Sequence, residues 1–94
     1  MTKAELIKEI SRKTGIERTQ VEVVTEAFMH CIKECVSNKQ SVVLRGFGIF
    51  MAKKRAAKIA RNITKGTAMA LPAHFIPAFK PYKKFSQKVK ARLS

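Results

Sequence analysis

The chain has 94 residues, of which 20 are Lys or Arg and six are Asp or Glu, so its formal net charge is +14. This length allows one domain, and a hydrophobic fraction of 46% excludes a disordered basic tail. The sequence contains no run of about 18 apolar residues and no apolar run near its N-terminus, which excludes a membrane span and a signal peptide. We therefore expect a cytoplasmic protein.

The charge is divided sharply along the chain. All six acidic residues lie within residues 1–34, which also hold six basic residues and are formally neutral. Residues 35–94 contain 14 Lys or Arg and no acid, so they carry the whole net charge. Uncompensated positive charge over sixty residues repels itself unless a polyanion neutralises it. This layout predicts nucleic-acid binding, with double-stranded DNA or RNA as the candidate partner.

A first helix is predicted over residues 3–13. Thr2 and Glu5 have the spacing of a capping box, in which a hydroxyl and a carboxylate satisfy free backbone N–H groups. Apolar residues follow at helical spacing, and Gly15 is a natural left-handed end.

A second, longer helix is predicted to begin near residues 17–20 and to end near Ser37. Thr19 and Glu22 indicate another capping box at its start. The helix carries a wide apolar stripe, which one small monomer cannot cover, so we expect a second copy to cover it. The stripe consists of Val21, Val24, Phe28, Cys31, Ile32 and Cys35.

Strand-like segments follow the helices. Ser41–Leu44 is predicted to be a short strand, Arg45–Gly48 a turn, and Ile49–Ala52 the next strand. The paired glycines Gly46 and Gly48 favour positive φ or a close approach of another group.

A two-stranded ribbon is predicted over about residues 53–75. Its turn is expected at Asn62–Gly66, and residues 67–79 return as the second strand. Pro72 and Pro77 are expected to interrupt this return strand and to lie at a sheet edge, because proline cannot donate a ladder hydrogen bond. Such a ribbon is only marginally stable alone, which is typical of an arm that lies on a partner.

A short amphipathic helix is predicted over residues 82–94, after Pro81. Phe85, Val89 and Leu93 recur every four residues, and the intervening positions are largely basic.

No catalytic or metal-binding group is predicted. The chain lacks Asp, and its glutamates lie in the neutral half, so paired-carboxylate chemistry and carboxylate metal sites are not expected. His30 and Cys31 are adjacent and point about 100° apart on a helix, and a fourth ligand to join them and Cys35 is missing. We expect the cysteines to be small hydrophobic residues, and we expect no enzyme activity, cofactor, metal or small-molecule substrate.

Three motifs at matching separations resemble the HU/IHF family of bacterial histone-like proteins. They are Leu44–Phe50, which reads LRGFGIF, Arg61-Asn62 with Gly66, and Pro77–Pro81, which reads PAFKP. The resemblance implies an α+β fold with two N-terminal helices, a three-stranded antiparallel β saddle with a long β-ribbon arm, and a C-terminal helix. It also implies an intertwined homodimer or heterodimer whose arms follow the minor groove of DNA and bend it.

On this resemblance the chain is a single domain with three parts. Residues 1–40 form a helical dimerisation part, residues 41–81 form the saddle with its arm at about 53–75, and residues 82–94 form the last helix. The expected dimer and core residues are Phe28, Cys31, Ile32, Leu44, Phe47, Phe50 and Phe79.

The expected DNA-binding residues are mainly basic residues that contact phosphates without reading bases. Arg61, near the arm tip, is expected to enter the minor groove. The family has a proline at the arm tip where this chain has Ile63, which is apolar and can wedge between base steps but lacks the fixed φ of proline. The full set is Arg45, Lys53, Lys54, Arg55, Lys58, Arg61, Asn62, Ile63, Lys65, Lys80, Lys83 and Lys84.

The favoured function is non-enzymatic, architectural binding and bending of duplex DNA with little sequence preference, which compacts the chromosome in the bacterial nucleoid. A subunit of a sequence-specific DNA-bending dimer of the IHF type remains open, because sequence-dependent deformability leaves no mark in a residue list. A structural RNA-binding protein is less favoured, since its stacking aromatics would be exposed on a sheet. A membrane-surface peptide is disfavoured because the basic residues do not follow one amphipathic helix.

Overall fold

The computed structural model describes residues 1–61 and 68–93, with side chains described for residues 1–57 and 72–93. The predicted turn at 62–66 therefore lies outside the described residues. The elements, in chain order, are α1 Lys3–Thr14, α2 Arg18–Ser37, β1 Val42–Leu44, β2 Gly48–Arg55, β3 Lys58–Arg61, β4 Ala68–Leu71, β5 His74–Pro81 and α3 Lys83–Leu93.

Helix α1 begins at Lys3, as predicted, and ends at Thr14, one residue beyond its predicted end. The Thr2 hydroxyl oxygen accepts a hydrogen bond from the Glu5 backbone N–H at 3.2 Å, which satisfies one free donor of the first turn. At the other end, Gly15 has a φ of 76° and its N–H donates to the Ser11 carbonyl at 2.9 Å. A left-handed residue of this kind is a common helix end.

Helix α2 begins one residue before its predicted cap, so the capping box at Thr19 is wrong. The backbone N–H groups of Gln20 and Val21 both donate to the Glu17 carbonyl at 3.0 Å. The first turn therefore forms on Glu17, and Thr19 lies inside the helix. The end of α2 at Ser37 agrees with the prediction.

The described strands form two separate antiparallel sheets. The three-stranded sheet has the order β1-β2-β5, and the two-stranded ribbon pairs β3 with β4. The sheet pairing runs from Gly48 opposite Pro81 to Arg55 opposite His74. The ribbon begins beyond a two-residue break in each strand, and its first described pair is Lys58 opposite Leu71. The predicted saddle and ribbon are both present, and the antiparallel α+β fold is confirmed.

One of the two prolines expected to interrupt the return strand does not do so. Pro72 lies in the break between β4 and β5, as predicted. Pro77 lies within β5, opposite Ala52, so the predicted interruption at Pro77 is wrong. Because β5 is an edge strand, a residue without an N–H group can be accommodated there.

The turn between β1 and β2 uses its two glycines for different reasons. Gly46 has a φ of 84°, a conformation that costs little only for glycine. Gly48 has no such φ, but a Cβ atom there would lie 2.5 Å from Phe79 Cζ and 2.7 Å from the Lys80 carbonyl oxygen. Both sequence expectations for paired glycines are therefore met, one at each position.

The chain divides into two compact units, Met1–Glu34 and Cys35–Ser94. The boundary lies within α2 and coincides with the boundary between the neutral and the basic residues. In the described part of the chain, the buried hydrophobic side chains are Ile7 and Val21, both in the first unit. The second unit contains four clustered phenylalanine rings, Phe47, Phe50, Phe79 and Phe85.

Candidate nucleic-acid interface

Three of the predicted DNA-binding residues meet on one face of the three-stranded sheet. Side chains alternate between the faces of a strand, and residues directly opposite each other on paired strands share a face. Lys53 lies opposite Ile76, Arg55 opposite His74, and Lys80 opposite Ile49. The positions are odd-numbered on β2 and even-numbered on β5, and this register places them on one face. We call this surface the cationic face, defined by Lys53, Arg55, His74 and Lys80.

The cations of this face lie near its two ends. The Lys80 and Arg55 positions are six register steps apart, which corresponds to about 20 Å along the sheet at about 3.4 Å per residue. The interior of the face is apolar and contains Met51, Ala78 and Ile76. All three predicted cations are exposed. The arrangement can therefore hold an extended anion at two separated places on one surface.

The opposite face of the sheet is aromatic. Phe50 lies directly opposite Phe79, and their ring centroids are 4.8 Å apart. Phe47 adds a ring 5.1 Å from Phe79, and Phe85 of α3 stacks on Phe47 at 5.4 Å. Close aromatic contacts of this kind stabilise a core beyond the area they bury. They hold α3 and the β1–β2 turn on the side of the sheet away from the cationic face.

Lys54 differs from its neighbours Lys53 and Arg55. It lies opposite Phe75, so the register assigns it to the aromatic side of the sheet. Phe75 in turn has the Lys39 ammonium nitrogen 4.1 Å from its ring centroid. The structure therefore does not bring Lys54 together with the cationic face, although the sequence grouped all three residues.

Helix α3 carries a second concentration of positive charge. Lys83 and Lys84 occupy its first turn, which contains no acidic residue. A helix N-terminus has a partial positive charge, so two lysines there are unfavourable until an anion approaches. The Tyr82 N–H donates to the Phe47 carbonyl at 3.0 Å, and the Ser86 N–H donates to the Tyr82 carbonyl at 3.0 Å. These bonds fix the start of α3 beside the β1–β2 turn.

The remaining predicted DNA-binding residues lie at the turn and in the arm. Arg45 is exposed in the β1–β2 turn, next to Gly46. Lys58 and Arg61 are the first and last residues of β3, opposite Leu71 and Ala68. Asn62, Ile63 and Lys65 lie outside the described residues, so their predicted roles stay predictions.

His74 is a candidate interface residue that the sequence analysis did not recognise. It lies on the cationic face opposite Arg55 and is exposed. Its Nδ1 lies 3.0 Å from the Pro72 carbonyl oxygen. An isolated histidine in a sequence gives no sign of such a position. Only the pairing of β2 with β5 reveals it.

Two acidic residues of the first unit, Glu9 and Glu26, are paired with nearby cations. Lys3 donates to Glu26, and this hydrogen bond lowers the pKa of the Glu26 carboxyl. Arg12 donates to Glu9 and lowers its pKa in the same way, while Lys13 Nζ lies 3.8 Å from the same carboxylate. The second unit contains no acid that could do this for its own cations. The cationic face therefore has no Asp or Glu of its own unit to neutralise it.

The predicted core and dimer residues are incompletely covered by a single chain. In α2, Phe28 is 48% exposed, Cys31 is exposed and Ile32 is half-buried. In the second unit, Phe47 is 45% and Phe79 is 38% exposed despite their ring contacts. Leu44 and Phe50 are half-buried. Their assignment to a dimer interface stays a prediction. The apolar surface that one chain leaves exposed is the surface that a second copy is expected to cover.

Within the described ranges, no cluster of His, Cys, Asp or Glu has the arrangement of a metal site. Cys31 and Cys35 are free thiols. No helix in the described part of the chain is long and apolar enough to cross a membrane.

A small α+β unit with a β-ribbon arm and an acid-free cationic face defines a class of architectural nucleic-acid-binding proteins. The comparisons with known proteins identify the family within that class. Residues 1–90 match the model of the family described as bacterial DNA-binding protein. The chain belongs to this family, which is the HU/IHF family of DNA-binding architectural proteins, and the resemblance noted in the sequence is confirmed.

Relatives of both kinds are similar to the chain over nearly its whole length. It is 37% identical over 90 residues to the integration host factor subunit beta of Marinobacter nauticus, covering 95% of this chain and 92% of that protein. It is 33% identical over 90 residues to the DNA-binding protein HU of Thermus thermophilus, covering 96% and 93%. A cocrystal structure of Anabaena HU with DNA has a TM-score of 0.89 and 36% identity, covering 95% of this chain and 97% of that chain.

Proposed function

We propose that this chain acts as a dimeric architectural protein that binds double-stranded DNA with little sequence preference and bends it. The observation that carries the proposal is the cationic face, with Lys53, Arg55 and Lys80 on one side of a sheet. These cations belong to a unit that contains no Asp or Glu. A phosphate backbone is the polyanion that such a surface fits, and its neutralisation releases counterions.

Two further features support contact with the DNA backbone. Lys83 and Lys84 lie in the first turn of α3, where an anion is favoured by both charge and helix dipole. The β3–β4 ribbon extends from the same compact unit and contains Lys58 and Arg61. A two-stranded ribbon with arginine near its tip fits the minor groove of duplex DNA. Together these elements would contact a duplex along its flank and within its groove.

The composition of the cationic face favours weak sequence preference. Direct readout depends on side chains such as Asn, Gln and Arg aimed at base edges. Of these residue types the described cationic face contains Arg55 alone, and the residues between its cations are Met51, Ile76 and Ala78. Lysines on such a face position a duplex by its phosphates and carry no base information.

Dimer formation is supported by the apolar surface that one chain leaves uncovered. On α2, Val24 is 67% and Phe28 is 48% exposed. A folded chain of this size buries a small share of its surface, so its stability as a monomer is marginal. HU/IHF proteins form dimers. We therefore expect sedimentation at high salt without DNA to give about twice the 10.6 kDa chain mass. A folded monomer at micromolar concentration would contradict this part of the proposal.

The decisive experiment is competition among nucleic acids at several salt concentrations. We expect random duplex DNA to displace a labelled duplex of fixed sequence almost as well as the unlabelled duplex itself. We expect RNA of the same length to compete poorly, because A-form RNA has a wide, shallow minor groove. If about 6–10 phosphates are contacted, log K should fall with log salt at a slope of about −5 to −9.

A sequence-specific dimer of the IHF type is the second candidate. It is favoured by the 37% identity to an integration host factor subunit beta. The same competition separates the two functions, because specific binders prefer their site by about a thousandfold or more. A preference of that size for one duplex sequence would replace the first candidate by the second.

We further propose that the protein acts without catalysis and is located in the bacterial nucleoid, in the cytoplasm. Membership of an architectural DNA-binding family supports both statements. Imaging of a fluorescent fusion should show the signal overlapping the DNA. In a variant with Lys53→Ala and Lys80→Ala, the fluorescence should extend beyond the DNA.

A further inference from the structure

His74 combines a position on the cationic face with a fixed ring orientation. It lies at the arm end of β5, opposite Arg55, and it is exposed. Its Nδ1 lies 3.0 Å from the Pro72 carbonyl oxygen, two residues earlier in the chain. A carbonyl oxygen can only accept a hydrogen bond, so the Nδ1 atom must carry the hydrogen and donate it.

This hydrogen bond determines what Nε2 can do. A neutral imidazole has one N–H, and here Nδ1 holds it, so Nε2 has a lone pair and can only accept. A phosphate oxygen also only accepts, so neutral His74 cannot bind it through Nε2. The imidazolium form donates from both nitrogens, and it can keep the bond to Pro72 while Nε2 donates to a phosphate.

The charged groups that face His74 among the described side chains are all cations. Arg55 is directly opposite on β2, and Lys53 is the diagonal neighbour on the same face. On β5 itself, Lys80 lies farther along the same face. A phosphate attracted by Arg55 and Lys53 brings negative charge to the imidazole, and nearby negative charge favours the protonated form.

We propose that His74 is a further DNA-contacting residue, whose Nε2 donates to a backbone phosphate only when the imidazole is protonated. DNA binding is then accompanied by proton uptake at His74, and affinity rises as the pH falls through the range in which histidine titrates. The proposal rests on the proposed function, because the cationic face must be the DNA-binding surface for His74 to meet a phosphate.

The test measures duplex affinity by fluorescence anisotropy at fixed ionic strength between about pH 6 and pH 8, a range in which histidine is the side chain that ordinarily changes charge. We expect the native protein to bind about tenfold more tightly at the lower pH, or about threefold for each of two histidines in a dimer. His74→Gln should bind equally at both pH values. His74→Lys, with a permanent charge, should bind tightly at both.

The chain provides a matched control in its other histidine. His30 lies in the neutral first unit, where its Nε2 is 3.9 Å from Glu34 Oε1. His30→Gln should keep the full pH dependence. The proton uptake itself is measured as a downfield shift of the His74 ring Hε1 resonance when DNA is added near neutral pH.

The outcomes separate failure of this inference from failure of the proposed function. A pH dependence that persists in His74→Gln, or that is absent from the native protein while DNA still binds, would overturn the inference alone. Absence of salt-sensitive DNA binding at every pH would overturn the proposed function and this inference with it. Because His74 is exposed, we expect both variants to fold, and circular dichroism with unchanged melting temperature checks this.

Discussion

Replacing Lys53 by alanine tests whether the cationic face contacts DNA, and Lys54→Ala is its matched control. The two lysines are adjacent, exposed and identical in chemistry, but the register turns them to opposite sides of the sheet. Lys53 lies opposite Ile76 on the cationic face, and Lys54 lies opposite Phe75 on the aromatic side. Any difference between the variants therefore reports on the face and not on net charge.

The expected magnitude follows from counterion release. One phosphate contact changes the slope of log K against log salt by about 0.9, so losing one contact per chain changes it by about 1.8 in a dimer. Over a fourfold rise in salt the native protein should then lose about 12-fold more affinity than Lys53→Ala. For Lys54→Ala we expect a change in slope of less than about half a unit.

The assay is a salt titration of the anisotropy of a labelled duplex with the native protein and both variants. Both side chains are exposed, so the melting temperatures should agree and folding does not confound the comparison. Equal flattening by the two substitutions would show that only total charge matters. A larger effect of Lys54→Ala would show that the wrong face of the sheet was assigned to DNA.

Three further predictions concern stability and bending. Gly48→Ala should cost about 1–3 kcal/mol in chemical denaturation, because its Cβ would lie 2.5 Å from Phe79 Cζ; an unchanged midpoint would contradict the close approach. Lys3 lowers the pKa of Glu26 from its ordinary 4.5, so their pair stabilises the fold above that pH and is lost as the pH falls through the lowered pKa. Glu26→Gln should accordingly weaken the fall in melting temperature below about pH 4.5, and an identical fall in both proteins would remove this pair from acid unfolding. Ile63→Asp should abolish kinking measured by energy transfer between duplex ends, and equal end-to-end distances with both proteins would exclude Ile63 as a wedge.

The division of charge is a case in which sequence and tertiary structure agree closely. The sequence alone shows that residues 1–34 are neutral and that all excess positive charge follows them. The folded chain divides into compact units at the same position. Charge is a property of composition, so it could be located without knowledge of contacts, and it was sufficient to indicate a polyanionic partner.

Local backbone chemistry was also predictable where one or two neighbouring residues decide the conformation. Gly15 ends α1 because glycine accepts a left-handed φ, and Thr2 caps the helix through a bond to a residue three positions away. The start of α2 at Arg18 lies within the predicted range of 17–20, but the capping residue was misassigned by the same reasoning. Thr19 has the spacing of a cap, but the Glu17 carbonyl accepts the first bonds, and the sequence offers no rule that prefers one position to the other.

The composition of the cationic face was decided only by tertiary structure. Lys53 and Lys80 are distant in sequence and share a face because β2 pairs with β5 in one particular register. A shift of that register by one residue would turn every β5 side chain to the other face and group Lys53 with different partners. The local pattern therefore identified basic residues, while strand pairing placed Lys53 on the cationic face and Lys54 on the aromatic side of the sheet. Pairing between distant residues also brought His74 to Arg55, since register is a property of two strands and neither strand encodes it alone.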